Sequence, residues 1–303
     1  MKYNIDFFQD IAQEDFELVF QEPMKKHTSF RIGGNADLFC TVHSLDALSK
    51  VLKGCQNNHI PLTILGKGSN VLVSDLGIRG MVLRLKGVFT EIKKISEDRI
   101  YCGAGASLAS LCLFAKENAL SGLEFAWGIP GAVGGAVYMN AGAYNGEIKD
   151  VVTAVTHVSM DGTVGKIEGN ALDFGYRHSA YFNGNKIITG AFFKLKKGLP
   201  SEIGNEMDNF MNRRKDKQPL DFPSAGSIFK RPKGNYAAAL IEQCSLKGVS
   251  VGGACVSPKH SGFIINTGNA TCQDVMDLIA YIQKVVREQK GVDLVCEIRH
   301  IGE

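Results

Sequence analysis

Apolar and polar residues along the first third of the chain follow two periods, that of a β-strand and that of an α-helix. The segment "ADLFCTVHS" (36–44) predicts a strand, and Ser44 is placed to cap a helix that runs to about Asn58. After Pro61, "PLTIL" predicts a short buried strand and "GMVLRL" predicts the next one, so a small β-α-β unit is expected. The apolar residues of the helix recur on one face: Leu45, Leu48, Val51, Leu52 and Cys55.

The same alternation continues through the middle of the chain. "IYCGAGA" (100–106) predicts a strand, and Ser107 is placed to cap a helix that buries Leu111, Cys112 and Ala115. "VVTAVTHVSMDGTVGKI" (151–167) predicts a hairpin that turns at Asp161 and Gly162. "KIITGAFFKLKKG" (186–198) predicts the last strand of this block.

The final third mixes helices and strands. An amphipathic helix is expected from Ser201 to Arg214, with Pro219 stopping its basic end and Ile203, Met207, Phe210 and Met211 pointing inward. "YAAALIEQC" predicts a helix and "GFIINTG" a strand. Thr271 and Asp274 then predict a capping box for a helix to about Gln289, and "LVCEIRHIGE" (294–303) predicts a closing strand. The whole pattern predicts an α+β protein, with a nucleotide-type region to about residue 197 and a smaller substrate-facing domain.

Composition narrows the classes of protein that fit this pattern. With 303 residues, 45% of them hydrophobic, two or three domains are expected. The net charge of +3 falls short of a nucleic-acid binder but suits an anionic small substrate. Neither a secretory signal nor a membrane span is expected, because acids break the first segment and no apolar run is long enough.

Cysteine and histidine spacing bears on redox state and metals. The eight cysteines form no C-x-x-C pair, which predicts reduced, mostly buried thiols of a cytoplasmic protein. The seven histidines are scattered, with no H-E-x-x-H motif and no Cys/His cluster. No metal site is therefore expected.

Many of the 34 glycines fall in short runs between apolar residues, which favours ordered loops. "LGKGSNVLVSD" (65–75) follows a strand, and its backbone N–H groups with Ser69 and Asn70 could form a nest for a pyrophosphate. "WGIPGAVGGAVYMNAGAYN" (127–145) has few polar side chains and could lie flat against a large ligand, while "IYCGAGAS" is shorter and less specific. Neither long loop is a Rossmann or Walker A motif. Tight turns would explain one such loop, but two favour a dinucleotide.

Three further segments could carry chemistry. Ser227 follows Gly226 in "DFPSAGSIFKRP" (221–232), and that segment alone favours a turn. Arg177 in "DFGYRHSAY" is either a surface charge or a buried cation that needs a carboxylate partner. Glu297 stands in an apolar strand, which predicts either a salt bridge to Arg299 or a neighbour, or a polar group aimed at a substrate.

Together these segments resemble the UDP-N-acetylenolpyruvoylglucosamine reductase family, from His27 to the C-terminus. The resemblance rests on five motifs in the family's order: "LGKGSNVLVSD", "GIPGAVGGAVYMNAGAY", "YRHS", "AGSIFKRP" and "CEIRHIG". It implies a vanillyl-alcohol-oxidase type fold with FAD between two α+β subdomains and a third domain over the flavin. The expected parts are an arm (1–26), an FAD-binding domain (27–197, subdomains 27–85 and 86–197) and a C-terminal domain (198–303) whose last strand (292–303) packs on the first subdomain.

The resemblance also implies roles for individual residues. Ser227 would donate a proton to substrate carbon C2, Arg177 would grip the substrate carboxylate, and Glu297 would polarise or orient the same group. Tyr176, Lys217 and Arg231 are assigned to the substrate, the two cations to the UDP phosphates. The residues assigned to FAD are Gly66, Lys67, Gly68, Ser69, Asn70, Ile129, Pro130, Gly131, Gly134, Gly135, Asn140 and Gly142.

The implied reaction is the FAD-dependent reduction of UDP-N-acetylglucosamine enolpyruvate by NADPH in peptidoglycan precursor synthesis, with non-covalent FAD. The chain resembles the family's shorter subtype, because no insertion follows "YRHS", and it has Cys296 where the family often has proline. A cytoplasmic monomer is expected. A flavin oxidase of the same superfamily and a non-catalytic UDP-sugar sensor are the alternatives.

Overall fold

A computed structural model describes residues 3–182 and 184–303. Its helices are α1 (Leu45–Asn57), α2 (Leu108–Glu117), α3 (Val133–Tyr138), α4 (Pro200–Lys217), α5 (Ala237–Gln243) and α6 (Cys272–Lys290). Its strands are β1 (Phe16–Pro23), β2 (Asn35–Val42), β3 (Leu62–Ile64), β4 (Val71–Val73), β5 (Ile78–Leu85), β6 (Ile92–Lys94), β7 (Arg99–Gly103), β8 (Leu120–Ser121), β9 (Gly142–Ala143), β10 (Gly146–Glu147), β11 (Val152–Ser159), β12 (Val164–Glu168), β13 (Lys186–Lys194), β14 (Lys196–Lys197), β15 (Ser224–Ser227), β16 (Ser250–Val251), β17 (Ala254–Val256), β18 (Phe263–Asn266) and β19 (Arg299–Ile301). The mixture is that of an α+β protein.

The chain divides into two compact units, and neither is one continuous stretch. Unit 1 contains the described residues up to Phe20, Leu38–Gly66 and Gly80–Asn212. Unit 2 contains Gln21–Asp37, Lys67–Arg79 and Arg213–Glu303. Each unit has a hydrophobic core of its own. The domain boundaries expected from the sequence stay a prediction.

Unit 1 is built on an antiparallel sheet of order β12-β11-β13-β7-β6. The predicted hairpin is confirmed, since β11 pairs with β12 and Gly162 adopts a φ of 85° in the turn. A second sheet has the order β1-β2-β5-β3, and the division between the units falls within β1, β2 and β5. Phe8 and Ile11, from the predicted arm, are buried in the unit 1 core.

The first predicted helix forms, with one error in its buried face. The Ser44 hydroxyl accepts a hydrogen bond from the backbone N of Ala47, so the predicted cap is confirmed. Leu45, however, is 44% exposed, because it lies in the first turn, while Leu48 is fully buried. The strand "PLTIL" also forms, as β3, but it is not buried, since Ile64 is 43% exposed.

Unit 2 packs α5 and α6 on a sheet of order β15-β18-β17-β16, with β4 and β19 as a separate parallel pair. The predicted capping box of α6 is confirmed, because Thr271 and Asp274 exchange both hydrogen bonds. The carboxylate of Asp75 adds a long-range cap, accepting from the backbone N of Cys272 and of Gln273. Among the described residues, no helix is both long and apolar enough to cross a membrane.

Two predictions for unit 2 are wrong. The segment around Ser227 forms the strand β15 rather than a turn, because it pairs with β18. The closing strand begins only at Arg299, so Glu297 lies before the strand and not inside it. The residues ahead of β19 instead make an isolated bridge, Phe229 to Cys296.

Candidate active site

Three glycine-containing loops meet within unit 1. A methyl group added at Gly66 would lie 3.4 Å from the Cβ of Ala132, so the first long loop touches the second. The backbone N of Gly134 donates to the carbonyl of Ala104 at 2.8 Å, which fixes the second loop against "IYCGAGAS". The third loop, which the sequence left less specific, therefore belongs to the same cluster.

The second glycine loop contains a short helix, α3, which the sequence did not predict. Gly134 is needed for close packing, because a methyl group there would lie 3.0 Å from the Cβ of Ala104. Gly135 differs, since an added methyl group would meet nothing within 4 Å and the residue is exposed. Bare backbone with open space beside it fits the close approach of a large flat cofactor such as FAD.

The rest of the first loop, residues 67–70, belongs to unit 2. Gly68 has a φ of 63°, and a side chain there would overlap the carbonyl oxygen of His27. The Gly68 carbonyl accepts from the backbone N of Ser29 at 3.0 Å. Packing against residues 27–29 therefore requires glycine at this position, whatever ligand the loop holds.

Arg177 lies at the tip of a tight turn in unit 1. Gly175 and His178 exchange backbone hydrogen bonds of 3.1 and 3.2 Å, which leaves Tyr176 and Arg177 as the two central residues. Arg177 has a φ of 54°, a conformation that favours glycine. The Arg177 Cζ atom stands 5.2 Å from the centre of the exposed Tyr176 ring.

Two residues of unit 1 that were assigned to the cofactor make close contacts within the protein. Asn140 is fully buried, and its amide bonds to the Gly175 carbonyl, the Glu147 carboxylate and the backbone N of Lys149. Gly142 lies in the β9–β10 hairpin, where a methyl group would lie 2.8 Å from the carbonyl oxygen of Gly146. Of the other predicted contacts, Pro130 is exposed and Ile129 is half-buried.

Ser227 stands at the end of β15, directly after a β-bulge. The pairing of β15 with β18 slips between Ser224 and Ser227, so β15 carries one extra residue. Gly226 adopts a φ of 78°, and an added methyl group there would meet nothing within 4 Å. Gly226 is thus required because of its positive φ, and not because a side chain would clash with a neighbour. The bulge sets the direction of the half-buried Ser227.

Glu297 is brought next to Ser227 by backbone hydrogen bonds within unit 2. The Glu297 N donates to the carbonyl of Ile228, the residue after Ser227, at 2.7 Å. The Asn70 side-chain Nδ2 donates to the carbonyl of Glu297 at 3.3 Å, and the Asn70 carbonyl accepts from the N of Arg299 at 3.0 Å. The structure therefore joins Ser227, Glu297 and the end of the first glycine loop.

The cations assigned to phosphates lie on exposed surface. Arg231 is exposed, and its Cζ stands 4.0 Å from the centre of the Tyr236 ring. Lys217 is exposed in the last turn of α4. Both side chains are therefore accessible to solvent.

The cysteine thiols and the possible metal ligands are the remaining groups that could take part in chemistry. Across residues 3–182 and 184–303, all eight cysteine thiols are free, and seven are buried. Burial raises the pKa of Cys102 and of Cys112 to about 12, which keeps both thiols protonated. In the same described residues, no group of three or more His, Cys, Asp or Glu side chains is arranged to hold a metal.

Comparisons with known proteins identify the domains and the family of this chain. The sequence profile of the FAD binding domain matches residues 36–168, and that of the UDP-N-acetylenolpyruvoylglucosamine reductase C-terminal domain matches residues 218–301. The UDP-N-acetylenolpyruvoylglucosamine reductase of Clostridium botulinum strain 657 is 48% identical over 98% of this chain and 96% of its own length. That of Caldanaerobacter subterraneus is 48% identical over 99% and 98%.

A solved structure extends the likeness to the fold. The crystal structure of UDP-N-acetylenolpyruvylglucosamine reductase from Thermus caldophilus matches with a TM-score of 0.81 and 35% identity, covering 94% of this chain and 98% of that one. An FAD-binding domain with bare glycine loops defines an FAD-dependent oxidoreductase. More particularly, the chain belongs to the UDP-N-acetylenolpyruvoylglucosamine reductase family.

Sequence reasoning missed how the predicted residues are held. It did not find the bulge before Ser227 or the link from Asn70 to Glu297, because the partners lie far apart along the chain. One feature of the sequence pointed to a residue that holds the others in place: Asn140 is polar and stands among apolar and small residues.

Proposed function

We propose that the protein reduces UDP-N-acetylglucosamine enolpyruvate to UDP-N-acetylmuramate with NADPH, in cytoplasmic peptidoglycan precursor synthesis, and that it acts as a monomer. Bound FAD would supply hydride transfer, taking a hydride from NADPH and passing it to C3 of the enolpyruvyl group. The glycine loops at 66–70 and 129–135 would hold this cofactor. Support comes from the bare backbone at Gly135 and from the contact of Gly66 with Ala132.

The observation that carries the proposal is the bulge that sets Ser227 beside the Glu297 segment. Hydride addition at C3 leaves negative charge at C2 that spreads into the carboxylate. The Ser227 hydroxyl donates its proton to C2, which completes the reduction of the double bond. A serine hydroxyl is a weak acid in water, but a carbanion-like carbon is a far stronger base, so this transfer runs downhill.

Arg177 and Glu297 stabilise the charged stage of this reaction. Arg177 binds the substrate carboxylate and offsets the charge that develops on it. Glu297 orients or polarises the same group. Lys217 and Arg231 bind the UDP phosphates, and Tyr176 contacts the substrate.

The test separates the two half-reactions of the flavin. In Ser227→Ala, NADPH should bleach the flavin absorbance at the normal rate, whereas the enolpyruvyl substrate should restore it about 10²–10⁴-fold more slowly. Ser224→Ala, in the same strand, is the matched control and should behave as wild type. Normal reoxidation of Ser227→Ala would remove Ser227 from the proton transfer.

A further inference from the structure

The turn that carries Arg177 has a strained backbone that contacts from outside the turn must stabilise. Arg177 sits in the left-handed region at a φ of 54°, and a non-glycine residue there costs on the order of 1–2 kcal/mol. Such strain persists only where the surrounding structure over-determines the backbone. The groups that fix this turn are therefore of interest.

Asn140 fixes the turn on its N-terminal side. Its Nδ2 donates to the carbonyl of Gly175 at 2.9 Å and to the Glu147 carboxylate at 3.1 Å, and its Oδ1 accepts from the N of Lys149 at 2.9 Å. Both N–H donors and the Oδ1 acceptor of this amide are used in a fully buried position, which also fixes which end is nitrogen. The hydrogen bond to Gly175 ends two residues before Arg177.

Ser179 fixes the turn on its C-terminal side. Its hydroxyl is buried and donates to the carbonyl of Tyr138 at 2.9 Å. Tyr138 is the last residue of α3, and Asn140 follows two residues later. Both sides of the Arg177 turn are thus hydrogen-bonded to one short segment, residues 138–140.

We propose that Asn140 and Ser179 are positioning residues for Arg177, holding its turn on residues 138–140 so that the guanidinium is already placed when the substrate carboxylate arrives. This inference rests on the proposed role of Arg177. A displacement of about 1 Å in a catalytic group can cost about 10²-fold in rate. The segment also continues α3, whose first residues lie in the cluster of glycine loops.

The experiment compares flavin half-reactions in the holoenzyme. Ser179→Ala removes one buried hydroxyl without changing the backbone, and Asn140→Gly removes the amide and adopts the positive φ of this position without strain. For each, reoxidation by the enolpyruvyl substrate should slow about 10–100-fold, while bleaching of Ser179→Ala by NADPH changes less than about threefold. Thr153→Val is the matched control, because it removes a hydroxyl-to-carbonyl hydrogen bond in the same unit.

A double-mutant cycle decides whether the effect passes through Arg177. In an Arg177→Lys background, Ser179→Ala should slow reoxidation by less than about threefold. Equal slowing in both backgrounds would overturn the positioning role, as would a lowered unfolding midpoint with normal reoxidation. Normal reoxidation of Arg177→Lys and of Arg177→Ala would instead refute the proposed role of Arg177.

Discussion

The backbone at Arg177 allows strain and chemistry to be separated by two substitutions at one position. Arg177→Gly and Arg177→Ala both remove the guanidinium, so the assigned contact with the substrate carboxylate is lost equally. They differ in the backbone, because only glycine adopts a φ of 54° without strain. Any difference in stability between them therefore reports the conformation of the turn.

The expected magnitudes follow from the turn geometry. Alanine keeps a strain of about 1–2 kcal/mol that glycine relieves. Glycine also lowers the free energy of unfolding by about 0.4–1 kcal/mol, because it gives the unfolded chain more conformational freedom. Arg177→Gly should therefore be more stable than Arg177→Ala by up to about 1.6 kcal/mol, the reverse of the order in a helix.

The assay is thermal unfolding of each holoenzyme in excess FAD, followed by the flavin half-reactions. Arg177→Gly should unfold up to about 2–3 °C above Arg177→Ala, and both should be reoxidised slowly by the enolpyruvyl substrate. Ala119→Gly, at a φ of 57°, is the matched control and should be neutral or stabilising with unchanged rates. If Arg177→Ala were the more stable of the two, the left-handed turn would be wrong.

Three further outcomes are expected. Gly68→Ala should destabilise the protein more than Gly226→Ala in urea unfolding, because only at Gly68 would the new methyl group overlap backbone, the carbonyl of His27. Asp75→Ala should cost about 1–2 kcal/mol by the same measurement, because the backbone N–H groups of Cys272 and Gln273 lose their acceptor at the start of α6. Backbone hydrogen bonds hold the pKa of Asp274 below its usual value, so its stabilisation is present above the unfolded pKa of about 3.9 and lost as pH falls through the folded pKa. In acid titrations the unfolding midpoint of Asp274→Asn should therefore vary less with pH than that of wild type.

Local patterns predicted most elements of the fold. The caps at Ser44 and Thr271 depend on residues within one helical turn, and both form as expected. The closing strand was overpredicted, because residues 295–297 pair with residues 228–230, more than sixty positions earlier, which no local pattern reveals. The strand β15 was not predicted either, because its pairing partner β18 lies further along the chain.

The residues of the candidate site stay a prediction, and only their surroundings are described by the structure. The resemblance supplied Ser227, Arg177 and Glu297, and the structure joins Ser227 with Glu297 in unit 2 and anchors Arg177 in unit 1. The supports of these residues were beyond the sequence, because each is a long-range hydrogen bond to backbone. Asn140 shows the difficulty, since its partner carbonyl at Gly175 is 35 positions away.

The most direct test of the proposed function is a visible absorption spectrum of the purified protein, followed anaerobically. NADPH should bleach a flavin band, and UDP-N-acetylglucosamine enolpyruvate should restore it, with the flavin released free on denaturation. A colourless protein that FAD cannot reconstitute would contradict the account and leave a UDP-sugar sensor. A flavin that NADPH bleaches but the substrate does not restore would keep the fold and refute the assigned reaction.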